Sequence, residues 1–333
     1  MFNNNVLIFS VTDFCNARCK TCSFWKTEKA VFPRKEIIGK VIEVLDKKLD
    51  VKFLSLTGGE PLTYPHLFPL IKEAKKHGMI IQLMTNGSLL DKWKIRRLTE
   101  FGVSFIGFSV DHYNETVVYE NRGLPNLLAQ LKENVYHAKE AGILTQGGIT
   151  IATHNIREIE KITDFALNNL LFDEVYFSLP INLPHSTYKL GNKDYDNINL
   201  SDAQLINAVD RMIILKEKYG NKISHRLNFL KDIKRFYLKE KQLYPCKAGE
   251  KIFFLDNHLD LYDCMVKSTR LGRITDDIHT LKNIRCYDCP VQCFREGSIY
   301  LNGLKSLPLF AELLFNKNYW KVIARKTHLT KFV

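Results

Sequence analysis

Long apolar runs are absent from this chain. No stretch approaches the roughly 18 consecutive apolar residues that a membrane-spanning helix needs, so we expect no transmembrane segment. The opening residues, Met1–Asn5, have neither the positive start nor the apolar stretch of a signal peptide, which predicts a cytoplasmic protein. Apolar residues make up 45% of the 333 residues and charged residues 25%, a balance that excludes wholesale disorder and fits one large domain or two smaller ones.

Acidic residues are fewer than basic ones, 36 Asp and Glu against 48 Lys and Arg, which gives a net charge of +12. This excess would suit an anionic partner such as a phosphate, a membrane surface or a nucleic acid. The basic residues are mostly scattered lysines, however, so a solvated basic surface is the commoner explanation. No basic run is interleaved with aromatic residues, and we therefore expect no nucleic-acid partner.

Cysteine is missing from the 223 residues between Cys22 and Cys246, and all eight cysteines fall into two groups on either side of that gap. A disulfide framework would spread its cysteines differently and would need an oxidising compartment. Two tight groups in a reducing cytosol instead indicate metal binding.

Short apolar runs alternate with helical patterns along the first two-thirds of the chain. The six strand candidates are Val6–Val11, Phe53–Thr57, Ile80–Met84, Ser104–Val110, Gly148–Ala152 and Glu174–Leu179. Repeated strand–helix order predicts a parallel sheet with right-handed crossovers. Six strands are too few for a closed eight-stranded barrel, so we predict an α/β fold with a partial (β/α)6 TIM-like barrel.

The domain organisation follows from these patterns and from the position of the second cysteine group. We expect the barrel over residues 1–220, a helical linker over 221–245, a small cysteine-bearing domain over 246–300 and a basic amphipathic C-terminal helix over 301–333. The apolar stripe of the last helix favours packing against the barrel. Contact with a membrane surface or a lipid-like substrate is the alternative, because its charges are basic.

The first cysteine group is Cys15, Cys19 and Cys22, with spacing C-x3-C-x2-C directly after the first predicted strand. A loop this short can wrap three thiolates around one small object such as a cubane cluster. A structural zinc ion or an electron-transferring [4Fe–4S] cluster would want four ligands, so a set of three leaves one iron open for a small molecule. The alternatives are a zinc knuckle with a distant fourth ligand, or ordinary buried thiols.

Polar residues and glycines follow the next three predicted strands. Gly58, Gly59 and Glu60 end the second strand, and Asn86 follows the third. The glycines would let the backbone approach a ligand closely, and Glu60 could accept a hydrogen bond from an ammonium group. Ser109 and Asp111 end the fourth strand. The carboxyl ends of parallel strands meet at the mouth of a barrel, where ligands bind, although strand capping or turn formation would also explain single residues.

With these motifs, the first 200 residues resemble the radical S-adenosylmethionine (SAM) superfamily. The resemblance implies that Cys15, Cys19 and Cys22 hold a [4Fe–4S] cluster whose open iron binds the amino and carboxylate groups of SAM. It also implies that Gly58, Gly59 and Glu60 hold the SAM amino group. The segment Phe108–Asp111 resembles the family's ribose- and methionine-contacting strand, with Asn86 assisting. One departure is Thr21, where the family usually has an aromatic residue.

The second cysteine group has the spacing Cys246-x17-Cys264 followed by Cys286-x2-Cys289-x3-Cys293. Two short strands around Asp256–His258 would form a hairpin that returns Cys264 to Cys246. The segment resembles the auxiliary-cluster domains of radical SAM enzymes, called twitch or SPASM domains. SPASM families usually have seven cysteines and a hairpin glycine, whereas this chain has five cysteines and Asn257-His258.

Five cysteines favour one auxiliary [4Fe–4S] cluster over two. Four of the five would ligate it, or three would, leaving a site for substrate. A structural zinc ion is the alternative, because C-x2-C with two further cysteines is also a zinc signature.

The resemblance implies an enzyme in which one electron from the reduced cluster cleaves SAM to a 5′-deoxyadenosyl radical, which then abstracts hydrogen from a substrate. An electron donor such as ferredoxin or flavodoxin would serve it, and the auxiliary cluster could accept an electron. The first predicted strand begins at Val6, which leaves no room for an N-terminal peptide-recognition domain and favours oxidation or rearrangement of a small molecule. Maturation of a ribosomally made peptide is the alternative, and a non-catalytic iron–sulfur or zinc protein is a more distant one.

Overall fold

A parallel sheet wrapped by helices forms the body of the protein. The computed structural model describes residues 5–180, 198–282, 286–287 and 289–301. Six parallel strands follow one another in sequence order. They are β1 (Asn5–Ser10), β2 (Val51–Thr57), β3 (Ile80–Thr85), β4 (Val103–Ser109), β5 (Leu144–Thr150) and β6 (Glu174–Ser178). The sheet does not close on itself, which confirms the predicted partial barrel.

Nine α-helices are present in the described part of the chain. They are α1 (Ile38–Lys47), α2 (Leu67–Lys76), α3 (Lys92–Phe101), α4 (Glu115–Arg122), α5 (Leu127–Glu140), α6 (Ile159–Asn168), α7 (Asp202–Tyr219), α8 (Leu227–Tyr237) and α9 (Gln292–Tyr300). Their apolar faces pack against one side of the sheet and form the main core. In the described ranges, no helix combines the length and the apolar character needed to cross a membrane.

The other side of the sheet carries a layer of polar side chains. Ser55 Oγ donates to Gln82 at 2.9 Å, and Gln82 donates to Gln146 at 2.6 Å. Gln146 in turn donates to Glu174 at 2.7 Å. Successive strand residues point to opposite faces, so this hydrogen-bonded row lies on the side of the sheet away from the helices. A polar row therefore crosses the inner face of the partial barrel, next to an apolar cluster of Phe53, Ile80, Phe105 and Leu144 on the same face.

Three further strands extend the same sheet beyond β1. Strand β7 (Ile252–Leu255) pairs in parallel with β1, and β8 (Asp260–Tyr262) and β9 (Arg270–Arg273) follow in antiparallel order. The turn between β7 and β8 contains Asp256–His258, which confirms the predicted hairpin. The cysteine-bearing segment is thus joined to the barrel by backbone hydrogen bonds. The predicted C-terminal helix over 301–333 lies outside the described residues from position 302 onward.

Candidate functional site

The three N-terminal cysteines lie on one loop beyond the carboxyl end of β1, and each thiol is partly buried. Burial raises the pKa of Cys15 to about 12. Burial, with Cys19 as the next cause, also raises the pKa of Cys22 to about 12. These thiols are therefore protonated at neutral pH unless positive charge stabilises their thiolates. Metal coordination supplies such charge and releases the protons, so the donor set suits a metal cluster.

Hydrogen bonds hold the shape of this cysteine loop. The backbone nitrogen of Cys22 donates to the carbonyl of Cys19 at 3.2 Å. The indole nitrogen of Trp25 donates to the same carbonyl at 3.1 Å. Phe24 is buried beside them. Aromatic residues just beyond Thr21 thus stabilise the loop, although the position before Cys22 itself is not aromatic.

Gly58 and Gly59 lie against the backbone that leads into the cysteine loop. A Cβ atom on Gly59 would be 2.0 Å from the carbonyl oxygen of Phe14, and one on Gly58 would be 2.3 Å from that of Thr12. Gly58 also has a φ of 137°, which L side chains rarely adopt. In this structure the close approach is therefore to the chain's own backbone, which fixes the turn beside Cys15.

The carboxylate of Glu60 is completely buried and ties the ends of β2 and β3 together. It accepts hydrogen bonds from the Thr85 hydroxyl at 2.7 Å and from the backbone nitrogen of Asn86 at 2.8 Å. A third comes from the backbone nitrogen of Leu62 at 3.1 Å. Burial raises the pKa of Glu60 to about 7, even though these donors lower it. Most of its acceptor capacity is already used within the chain.

Asn86 connects the end of β3 to the cysteine loop. Its side-chain nitrogen donates to Asn16 at 2.9 Å, and its side-chain oxygen accepts from the Ser88 hydroxyl at 2.6 Å. Asn16 also donates to the Ser88 hydroxyl at 2.9 Å. Since Asn16 lies between Cys15 and Cys19, this triangle of polar side chains fixes the loop over the sheet edge.

Ser109 and Asp111 lie at the end of β4, as predicted. Asp111 is buried, and its Oδ2 atom accepts from Arg122 at 2.6 Å and from Asn121 at 2.8 Å. Its Oδ1 atom is buried without a hydrogen-bond partner. A buried carboxylate oxygen without a donor is costly, so this atom is available to a ligand.

Sequence reasoning missed Arg122, which the structure places against the first cysteine group. Its guanidinium is buried and donates to the Cys19 sulfur at 3.6 Å. Burial opposes its charge, but Asp111 and Cys19 raise the pKa of Arg122 above its ordinary value. The capping residues Asn114 and Gly123 mark the helix that carries Arg122, but no local sequence pattern shows that this residue reaches Cys19.

His154 is a second residue that sequence reasoning missed. Both of its ring nitrogens are buried without a hydrogen-bond partner. Burial lowers the pKa of His154, and Asp111 and Arg122 act on it electrostatically. A neutral imidazole both donates and accepts. The sequence signal for His154 was its position four residues after β5, because residues there lie at the carboxyl edge of the sheet.

The second cysteine group gathers beside β1 and β7. Cys246, Cys264 and Cys289 are buried in one apolar cluster, and Cys286 packs against it. Cys293 is exposed at the start of α9. Burial raises the pKa of Cys289 to about 12, with Cys246, Cys264 and Cys286 among the further causes. Cys246 and Cys264, which lie far from Cys286 and Cys289 in sequence, are therefore their neighbours in space.

Backbone and hydroxyl donors point at the sulfurs of this group. The nitrogens of Lys267 and Val291 donate to Cys264 and Cys289 at 3.2 and 3.3 Å. Ser298 donates to Cys246 at 3.7 Å. Such donors stabilise thiolates, which is the form that binds metal.

Helix α9, which contains Cys293, bridges the open side of the barrel. Gln292 donates to Ser178 at the end of β6 at 2.9 Å. Arg295 and Asp232 of α8 form a fully buried ion pair at 2.5 Å. On its other side, Gly297 lies close to Ile252 of β7. The second cysteine group is therefore anchored to both edges of the partial barrel.

Among the residues that the structure describes, no three His, Cys, Asp or Glu side chains are gathered as ligands of a single metal ion.

Residues 9–166 match the family model described as the radical SAM superfamily. The chain therefore contains a radical SAM domain, and this family implies a [4Fe–4S] cluster and SAM.

Curated relatives agree with this assignment. A tungsten-containing aldehyde ferredoxin oxidoreductase cofactor-modifying protein of Pyrococcus furiosus is 26% identical over 171 residues, 49% of this chain and 48% of that protein. An AdoMet-dependent heme synthase of Methanosarcina barkeri is 25% identical over 58% of this chain and 56% of its own length. A GTP 3′,8-cyclase of Aquifex aeolicus is 34% identical over 49% of this chain and 53% of its own length. The chain thus spans about half the length of these relatives.

Solved structures share the fold over a longer stretch. Streptococcus suis SuiB bound to S-adenosylmethionine matches with a TM-score of 0.64 and 16% identity, over 82% of this chain and 64% of that one. The protein anSMEcpe with bound AdoMet matches with a TM-score of 0.60 and 17% identity, over 82% and 78%. At such identities the likeness concerns the fold alone.

Proposed function

We propose that this chain is a radical SAM enzyme that cleaves SAM reductively at a [4Fe–4S] cluster and takes a hydrogen atom from a small-molecule substrate. The observation that carries the proposal is the gathering of three thiols at the carboxyl edge of the sheet, beside two polar groups that lack partners. Those groups are the Oδ1 atom of Asp111 and the ring of His154. A set of three thiol ligands leaves a coordination position for SAM.

Each part of this site has a role in the proposal. Cys15, Cys19 and Cys22 hold the cluster, which supplies one electron to SAM when it is bound and reduced. Gly58, Gly59 and Glu60 form the turn that receives the SAM amino group. The side chains that assist are Asn86, Ser109 and Asp111. The protein's own work is to orient SAM and to keep water from the radical.

SAM binding at the open iron can be tested by electron paramagnetic resonance of the reconstituted, reduced chain. We expect SAM to change the spectrum of the reduced cluster in the wild type. The matched sample is the Cys15→Ala/Cys19→Ala/Cys22→Ala variant, in which that spectrum and its response should both be absent. A wild-type spectrum that SAM leaves unchanged would refute the proposed binding mode.

We propose further that the second cysteine group holds one auxiliary [4Fe–4S] cluster, drawing on Cys246, Cys264, Cys286, Cys289 and Cys293. The buried thiols and the donors aimed at three of their sulfurs support this assignment. The cluster would accept the electron left on the substrate after hydrogen abstraction, and a ferredoxin- or flavodoxin-type protein would reduce the first cluster. Unchanged electron flow and turnover in Cys264→Ala would exclude the acceptor role.

A small-molecule substrate is supported by the polar row on the inner face of the barrel and by the names of two relatives, a heme synthase and a GTP cyclase. A peptide substrate is the second candidate, because SuiB, which shares the fold, was solved with its precursor peptide SuiA. Titration of the loaded chain with small peptides decides between them. Stimulation of SAM cleavage by a peptide would reverse our choice.

A further inference from the structure

Arg122 makes two directed contacts that the proposed function does not use. Its Nη1 atom donates to the sulfur of Cys19 at 3.6 Å, and its Nε atom donates to Asp111 at 2.6 Å. Both charged side chains are buried, with side-chain exposures of 8% and 2%. An ion pair so well shielded from water acts strongly on its immediate neighbours.

The backbone fixes Cys19 in place beside this guanidinium. The nitrogen of Arg18 donates to the carbonyl of Arg122 at 2.7 Å. The nitrogen of Lys20 donates to the carbonyl of Asn121 at 2.9 Å. The residues on both sides of Cys19 are therefore bound to the last turn of α4. Cys19 cannot move away from Arg122 without breaking these bonds.

A hydrogen bond to a cluster sulfur favours the reduced state, because one-electron reduction adds negative charge that the sulfur ligands share. Arg122 supplies such a bond together with a positive charge. Asp111 offsets that charge and orients the guanidinium. The two side chains thus act in opposite directions on the same sulfur.

We propose that Arg122 and Asp111 form a positioning pair that sets the reduction potential of the cluster held by Cys15, Cys19 and Cys22. Arg122 raises the potential and Asp111 lowers it. The electron comes from the one-electron donor protein, and no bond is made or broken in this step. The inference rests on the proposed function, since it concerns the cluster at which SAM is cleaved.

Asp111→Asn is an unusually conservative probe of this pair. Both hydrogen bonds to Asp111 go to Oδ2, and Oδ1 has no partner. An asparagine can therefore place its oxygen at the Oδ2 position and its amide nitrogen at the empty one. The variant removes the negative charge and keeps the geometry.

The experiment is a redox titration of the loaded full-length chain, followed by electron paramagnetic resonance. We expect Arg122→Gln to lower the potential of the first cluster and Asp111→Asn to raise it, with the auxiliary signal unmoved. Arg18→Gln is the matched control, because it removes the same charge from an exposed residue next to Cys19. Its potential should stay near that of the wild type, since water screens an exposed charge.

Opposite shifts separate this inference from a merely structural role, which would move both variants in one direction. Unmoved potentials, or shifts of the same sign, in variants with wild-type iron content would overturn it. If Arg122→Gln fails to hold iron, the sign of the Asp111→Asn shift decides alone. If the triple cysteine variant keeps all of its iron, the proposed function itself fails, and that result is distinct from an unmoved potential.

Discussion

The turn at Gly59 allows the sharpest test of how the fold builds the site. Gly59→Ala would place a methyl group 2.0 Å from the Phe14 carbonyl oxygen and 3.0 Å from the Cys15 nitrogen. Ordinary contact needs about 3.5 Å or more, so the backbone before the cysteine loop must move by more than 1 Å. The partner is backbone rather than a flexible side chain, so no change of rotamer can relieve the overlap.

The cost follows from the bonds that join the two segments. Gly59 donates to Thr12 at 2.9 Å and Glu60 donates to Phe14 at 2.8 Å. Losing each bond costs about 1 kcal/mol, and the overlap adds about 1–3 kcal/mol. We therefore expect Gly59→Ala to lose about 3–5 kcal/mol of stability and most of the iron held by the first cysteine group.

Iron per chain and Tm after anaerobic reconstitution measure both effects. Gly39→Ala is the control, because Gly39 lies in α1 with no atom within 4 Å of its Cβ position. That substitution should stabilise the helix by about 0.5–1 kcal/mol and leave iron unchanged. Wild-type iron content in Gly59→Ala would refute the claim that this turn shapes the cluster site.

Three further outcomes are expected. Burial raises the pKa of Glu174 from 4.5 to about 7. Between these two pH values the folded chain keeps a proton that the unfolded chain releases, so the free energy of unfolding falls as the pH rises. Glu174→Gln should remove up to about 3 kcal/mol of this pH-dependent loss of unfolding free energy. An unchanged slope of unfolding free energy against pH would contradict this expectation. Arg295→Met should lower the free energy of unfolding in denaturant by about 3–5 kcal/mol, because Asp232 is left buried and unpaired. Adding Asp232→Asn should restore most of the lost stability. Asn86→Ala should weaken SAM binding about tenfold in equilibrium titration at constant iron content, and unaltered affinity would show that the polar triangle has no part in binding.

The six barrel strands were predictable because their apolar residues form short runs between helical patterns. Strand β5 was placed at Gly148–Ala152 but spans Leu144–Thr150. Its first half contains Gln146, whose amide is buried in the polar row, and its middle has glycines without side chains to mark a face. Burial of polar groups by hydrogen bonding leaves no hydrophobic signal in the sequence.

Helices α4 and α9 leave little signal in the sequence for related reasons. The Thr116–Tyr119 stretch of α4 is rich in residues that favour strands, and only its capping residues mark it as a helix. In α9 the buried side includes Arg295 and Ser298, which form hydrogen bonds with Asp232 and the Lys247 nitrogen. A helix whose buried face is partly polar lacks the apolar stripe by which helices are read.

The two cysteine groups were predictable from spacing, whereas their surroundings were not. Cys15, Cys19 and Cys22 fall within eight residues, so a single compact loop brings them together. Arg122 reaches Cys19 across 103 positions of sequence, through a helix that packs on the loop. The pairing of β7 with β1 is likewise a long-range contact that local patterns do not contain.

The central claim is that Cys15, Cys19 and Cys22 hold the cluster at which SAM is cleaved. Iron, labile sulfide and 5′-deoxyadenosine release should be measured after anaerobic reconstitution and reduction, in the wild type and in the variant with all three cysteines replaced by alanine. The account predicts about eight irons falling to about four, with release abolished. Release that persists in the variant, or iron that does not fall, would contradict it.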